Sequence, residues 1–178
     1  MIKKFINKLL GKSTPGTSGG KPHFGKREEV PASVHGINPE LVDRRAADVV
    51  ATLKQAGFEA YIVGGAVRDL LLGLRPKDFD VATNATPEQV KGLFRRAFII
   101  GKRFRIVHVV HGRGREHEVI EVSTFRAYLD NAAAGQVAGN EKTSKAQLSG
   151  MQHAVDASGR VLRDNVWGPQ DEDATRRD

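Results

Sequence analysis

Two carboxylates one residue apart, Asp78 and Asp80, follow closely on a Gly64-Gly65 pair in the stretch Tyr61–Thr83, YIVGGAVRDLLLGLRPKDFDVAT. In a strand, residues i and i+2 face the same way, so the two carboxylates point together while Phe79 and Val81 point into a core. Paired carboxylates repel and call for a positive partner, and a divalent ion with oxygen ligands is the natural one. Upstream, Tyr61-Ile62-Val63 are strand formers that run into the glycines, and Ala66 to Leu72 reads as a short helix closed by Gly73. Glycines let the backbone approach a bulky anion, and the free N–H groups of a helix start favour phosphate. Arg68, in the first turn, adds a charge-assisted contact. Read singly, the Gly-Gly pair is a tight turn and the Asp-x-Asp a solvated strand end. In this order, a phosphate cradle followed by a carboxylate pair points to nucleotidyl or phosphoryl transfer.

The elements that must position these groups are spread over 178 residues, enough for one domain with a real core. The net charge of +7 favours a polyanionic partner, nucleic acid or an acidic membrane face, although plain solubility would also explain it. The chain contains no cysteine, which excludes disulfides and thiolate metal sites and fits a reducing cytoplasm. No apolar run approaches the roughly 20 residues of a membrane span. Residues 1–10, MIKKFINKLL, place Ile2, Phe5, Ile6, Leu9 and Leu10 on one helical face and Lys3, Lys4 and Lys8 on the other. Such a segment either lies on an anionic inner-membrane face or is a frayed or docking helix. Residues 11–35, rich in Gly, Ser, Pro and Lys, read as a linker. Residues 36–178 then form the globular domain.

Asn38 as N-cap and Pro39 as first residue predict a helix running to Gly57, with Leu41, Val42, Val49, Val50 and Leu53 on its apolar face. Thr86-Pro87-Glu88-Gln89 predicts a capping box opening a helix to about Arg95. Phe98-Ile99-Ile100 reads as a strand ended by Gly101. Longer strands Phe104–His111 and Glu116–Phe125 are joined by Gly112-Arg113-Gly114-Arg115 as a hairpin. In the second of them Ile120 and Val122 face one way and Glu121 and Ser123 the other. Residues 127–158 show little periodicity and read as a long loop of the functional kind. Gly159 to Asp164 reads as a return strand, and Asp171-Glu172-Asp173 caps a helix that begins at Ala174. His108, His111 and His117 do not assemble a zinc set, because His108 and His111 face opposite ways in a strand and no cysteine helps. Gly101-Lys102 lacks the glycine spacing of a P-loop, and no motif makes Ser123 or Thr124 a nucleophile.

GGAVRDLLLG followed by KDFDVAT resembles the signature of the class II nucleotidyltransferases, the bacterial poly(A) polymerases and the CCA-adding enzymes of transfer RNA. The resemblance covers residues 38–178. It implies an α/β (α+β) head domain: a small mixed sheet with helices on one face, like the palm of template-independent polymerases. It places a third carboxylate at Glu121, within EVSTFR, so that Asp78, Asp80 and Glu121 are the expected catalytic residues and the ligands of two Mg²⁺ ions. Otherwise Glu121 is an exposed strand residue. Gly64, Gly65 and Arg68 are expected to hold the phosphates of ATP. Lys77 is either a further triphosphate contact or a surface lysine. Residues 127–158 match the loop the family keeps near the incoming nucleotide. The Arg176-Arg177-Asp178 run matches one that, in the family, continues into a Phe-Thr-x-Asn-Ala stretch that helps hold the ribose. Arg177 and Asp178 are therefore nucleotide-binding candidates, and the chain is expected to be an N-terminal fragment with little activity alone. The run Ile99 to Val109 resembles the segment that separates poly(A) polymerases from CCA-adding enzymes. The expected function is addition of AMP from ATP to RNA 3′ ends in the cytoplasm, with CCA addition to tRNA second. A non-catalytic RNA-binding fragment is the alternative from a different class, and it leaves the three carboxylates unexplained.

Overall fold

The computed structural model describes residues 27–102, 104–114, 116–127, 135–137, 153–156 and 161–177. The amphipathic residues 1–10, the start of the 11–35 linker and Asp178 lie outside the described residues. A short helix α1 (Ala32–His35) and a 3₁₀ turn (Pro39–Leu41) lead into α2 (Arg44–Gln55). The single helix predicted from Asn38 is thus broken. Asn38 does cap its turn by accepting from the Glu40 N–H, but Asp43 accepts from the Arg45 N–H and starts a second helix. Two N-cap residues five positions apart compete, and each opens its own element.

Strand β1 (Ala60–Val63) enters Gly64, then α3 (Gly65–Leu71), β2 (Asp80–Thr83) and α4 (Pro87–Leu93). The Thr86/Gln89 capping box forms as predicted. β3 (Ala97–Ile100), β4 (Ile106–Arg113) and β5 (Glu116–Thr124) complete a five-stranded mixed sheet ordered β1-β2-β5-β4-β3. β2 runs parallel to β5, and every other neighbouring pair in this sheet is antiparallel. Strands β6 (Gly135–Val137), β7 (His153–Asp156) and β8 (Val161–Asp164) form a second, three-stranded sheet, so part of 127–158 is not loop. Strands of three or four residues are too short to display alternation in sequence. The last helix, α5 (Gln170–Ala174), begins four residues before the predicted start, with Asp171, Glu172 and Asp173 inside its first turn, where acids complement the helix dipole.

One face of the large sheet is buried. Val81, Val107, Val109, Ile120 and Val122 meet Ala46, Val49 and Leu53 of α2 and Val90 of α4 in one apolar cluster. The period-2 pattern read from Ile120 and Val122 therefore places Glu121 on the opposite, open face. Hydroxyls pin both sides of β2: Thr83 Oγ1 donates to the Glu59 carbonyl at 2.5 Å across the β1–β2 seam, and Thr124 Oγ1 to the Ala85 carbonyl at 2.7 Å across the β2–β5 seam. Gly101 ends β3 at φ 86°, and a Cβ there would collide with the Phe104 carbonyl. Gly101→Ala is expected to cost at least about 2 kcal/mol, because left-handed strain and a backbone clash add. A urea melt that differs from wild type by less than about 0.5 kcal/mol would show that this turn relaxes freely.

Candidate active site

The seam between β2 and β5 brings Asp80 and Glu121 together. They are register partners in adjacent parallel strands, the next residues (Val81 and Val122) being buried partners on the other face. Across the antiparallel β4–β5 pair, Glu121 also faces His108, whose Nε2 lies 3.3 Å from Glu121 Oε1. On the other side of Asp80 stands the glycine turn. Gly64 adopts φ 69° and ψ −146°, a region open in practice to glycine alone, and a Cβ on it would sit 3.6 Å from Asp80 Oδ2. The turn and the carboxylate thus share one small space. Gly65 lies beneath the Arg68 guanidinium, 3.4 Å from its Nη2 to a Cβ position. Arg68 is also held by Asp69 Oδ1 at 2.9 Å and remains largely exposed.

Burial pushes the Asp80 carboxyl above its ordinary range, the negative charges of Glu121 and Asp78 push it further, and Arg177 opposes them. That charge excess, built from hard oxygen donors only, fits a divalent cation. Asp78 contributes to the field from outside the strand. β2 itself begins at Asp80, but Phe79 and Val81 are both buried and Asp78 and Asp80 line the same larger cleft, as the alternation predicts. Among the described residues no three His, Asp or Glu side chains close around one point.

Two clefts open on either side of Asp80 and Glu121. The smaller, about 260 Å³, adds Ser123, Arg126, Asp173, Arg176 and Arg177 to its walls. The larger, about 950 Å³, adds Lys77, Asp78, His108, His117 and Glu118. The smaller is cationic because Arg176 and Arg177, just past α5, join Arg126 from the end of β5 there. Arg177 Nε donates to Asp173 Oδ2 at 2.6 Å and its Nη2 to Ser123 Oγ at 2.8 Å. Asp173 is 3 % exposed and its other oxygen accepts from the Arg126 N–H at 3.0 Å. The buried carboxylate thus ties α5 to the end of β5 and fixes the direction of Arg177.

The family model of the poly A polymerase head domain matches residues 60–178. The chain belongs to this family. It is 41% identical to poly(A) polymerase I of Salmonella typhi over 99% of its own length and 34% of that protein. It is 46% identical to poly(A) polymerase I of Haemophilus influenzae over 84% of its length and 29% of the relative. A CCA-adding enzyme of Bacillus pumilus is 38% identical over 71% of this chain and 32% of the enzyme. The chain spans about a third of the length of the curated relatives it matches.

In this head domain, the residues expected to act together fall into three groups. Asp80, Glu121, Gly64 and Arg177 meet at one point. Asp78 and Lys77 line the larger cleft beside them. Gly65 and Arg68 stand one turn away at the start of α3, with Arg68 engaged by Asp69. Asp178 lies outside the described residues. Three participants in the geometry were not singled out from the sequence for it: His108, Ser123 and Asp173. The Asp173/Arg177 pair was visible as an i, i+4 acid–base spacing. The His108/Glu121 contact required the hairpin register. The ladder continues to Arg113↔Glu116, two residues further than predicted on the β4 side, and this is what sets His108 opposite Glu121.

Proposed function

We propose that this head domain supplies the catalytic and nucleotide-binding groups for template-independent addition of AMP from ATP to RNA 3′ ends. The observation that carries the reading is the meeting of Asp80 and Glu121 on neighbouring strands, between the Gly64 turn and an arginine-lined cleft. Asp80 and Glu121, joined by Asp78, would hold divalent metal. Bound there, it supplies Lewis-acid chemistry, lowering the pKa of the attacking 3′-hydroxyl and neutralising charge on the triphosphate. The protein's own groups do the rest. Backbone donors at Gly64 and Gly65, together with Arg68 and Lys77, bind phosphate oxygens. Arg177, locked by Asp173 and Ser123, presents a fixed cation to the departing pyrophosphate side. Preorganised charge of this kind is worth most where water is excluded, and Asp80 is already partly desolvated. Asp178 is assigned to the nucleotide through the family resemblance alone. Residues 1–35 are proposed as a segment separate from the head, and an anionic-membrane contact through residues 1–10 in the cytoplasm rests on their basic amphipathic pattern.

The test is extension of a short RNA with each nucleoside triphosphate in turn, alongside calorimetric titration of ATP into the chain. ATP binding that depends on Mg²⁺ and is abolished by a chelator, with ATP the preferred nucleotide for extension, is the expected result. ATP affinity that is indifferent to the chelator would sink the metal-assisted reading. Ordered addition of C and then A to transfer RNA would move the function to the CCA-adding branch, to which the Bacillus relative belongs by name.

A further inference from the structure

The row that holds Asp80 and Glu121 does not end at His108. Phe98 on β3 is the register partner of His108, so Asp80, Glu121, His108 and Phe98 are consecutive cross-strand neighbours on the open face of the sheet. Their flanking residues Val81, Val122, Val107 and Val109 fill the core on the other face, which fixes the direction of all four. Phe98 is 54% exposed, far more than a large aromatic side chain on a sheet face needs for packing, and Ile100 beside it is 43% exposed. β3 carries no charged side chain. Strand spacing of about 5 Å places Phe98 about 10 Å from Glu121, with the His108 ring between them. Stacked bases advance about 3.4 Å per nucleotide and extended ones roughly twice that. A strand whose 3′ end lies at Asp80 and Glu121 therefore reaches His108 and Phe98 within its last few nucleotides.

We infer that Phe98, with His108 beside it, is a stacking platform for an unpaired base near the RNA 3′ end. This rests on the proposed nucleotidyl-transfer reading and adds the subsite that receives the acceptor strand. Single strands are held by aromatic faces on which successive bases stack, combined with a cationic surface that follows the phosphates. Exposed Lys102, two residues past Ile100 at the end of β3, supplies a cation next to the row, and the row supplies the aromatic face in direct continuity with the carboxylates. Stacking tolerates any base, so the platform positions the acceptor without reading its sequence.

The experiment titrates the full chain with short oligoadenylates carrying 2-aminopurine at one of the last three positions, and follows fluorescence quenching and affinity. Wild type is expected to quench one position selectively. Phe98→Ala is expected to lose that quenching and on the order of tenfold in affinity. Phe98→Trp should keep both, and Phe98→Leu, which preserves apolar bulk, should behave like alanine. Because Phe98 is exposed, each variant should melt as wild type does. Equal binding by Phe98→Ala and wild type overturns the platform while leaving nucleotidyl transfer intact, since Mg²⁺-dependent ATP binding is measured separately. Leucine matching wild type would show apolar contact rather than stacking and also overturns it. Self-association that is lost in Phe98→Ala, with oligonucleotide binding unchanged, would make this face an interface between copies and reject the proposal. Failure of wild type to bind the oligonucleotide rejects it as well.

Discussion

Asp80→Asn is expected to reduce Mg²⁺-dependent nucleotidyl transfer by about 1,000-fold or more while making the fold more stable at neutral pH. The loss follows from removing one ligand charge from the pair: metal-supplied charge stabilisation is worth several kcal/mol, and each 1.36 kcal/mol is tenfold in rate. The gain follows from linkage. Burial and the neighbouring Glu121 and Asp78 hold the folded-state carboxyl above its usual value. The folded chain therefore binds the Asp80 proton at higher pH than the unfolded chain does. The stability this contributes is fully present below the unfolded value, about 3.9, and is lost as pH rises through the folded value. At pH 7 the ionised group is a net cost, and asparagine removes it. The stability advantage of Asp80→Asn should shrink as pH falls toward about 4, in thermal melts recorded across that range. A variant that is inactive and also less stable at pH 7 would mean that Asp80 is a structural residue. A variant that is more stable yet retains turnover would remove the metal role from Asp80.

What could be read from the sequence divides along the range of the interactions involved. Local grammar was legible. The Thr86/Gln89 capping box, the strand–glycine–helix order around Gly64 and the alternation of Ile120, Glu121 and Val122 all depend on residues within a few positions of one another. Pairing was less legible. That β2 lies parallel and adjacent to β5, so that Asp80 meets Glu121 across 41 positions of sequence, is a property of the sheet order, and only the family resemblance pointed to it. The Asp78-Asp80 alternation was legible as well: Phe79 and Val81 are buried as it predicts, although the paired strand starts only at Asp80. Val42-Asp43 was under-read. An aspartate five residues into a predicted helix is itself an N-cap, and the apolar periodicity on both sides masked the break. The β4–β5 hairpin shows how register slips when glycines surround a turn. The slip of two residues kept every side chain on its face, which is why the open and buried faces were still assigned correctly.

Asp173→Ala should produce the largest stability loss among substitutions at the site. Asp173 is almost fully buried, and both of its oxygens are committed, one to the Arg126 N–H and one to Arg177 Nε. Arg177 is only partly buried, so removing the carboxylate costs somewhat less than breaking a fully buried pair, about 2–4 kcal/mol. For a chain of this size that corresponds to a fall in melting temperature on the order of 10 °C. Asp173→Asn keeps one acceptor and should fall between alanine and wild type. The functional consequence is separable from the stability one. Without Asp173, Arg177 keeps only its bond to Ser123 and swings more freely in the small cleft. Asp80 then feels less of the positive charge with which Arg177 offsets Glu121 and Asp78. ATP affinity should therefore drop in Asp173→Asn even at temperatures where the variant is fully folded, and Arg177→Lys, which keeps the charge but not the forked geometry, should reproduce only part of that drop. If Asp173→Ala melts within about 1 kcal/mol of wild type and binds ATP equally well, α5 is an appendage of the head domain rather than the element that aims Arg177.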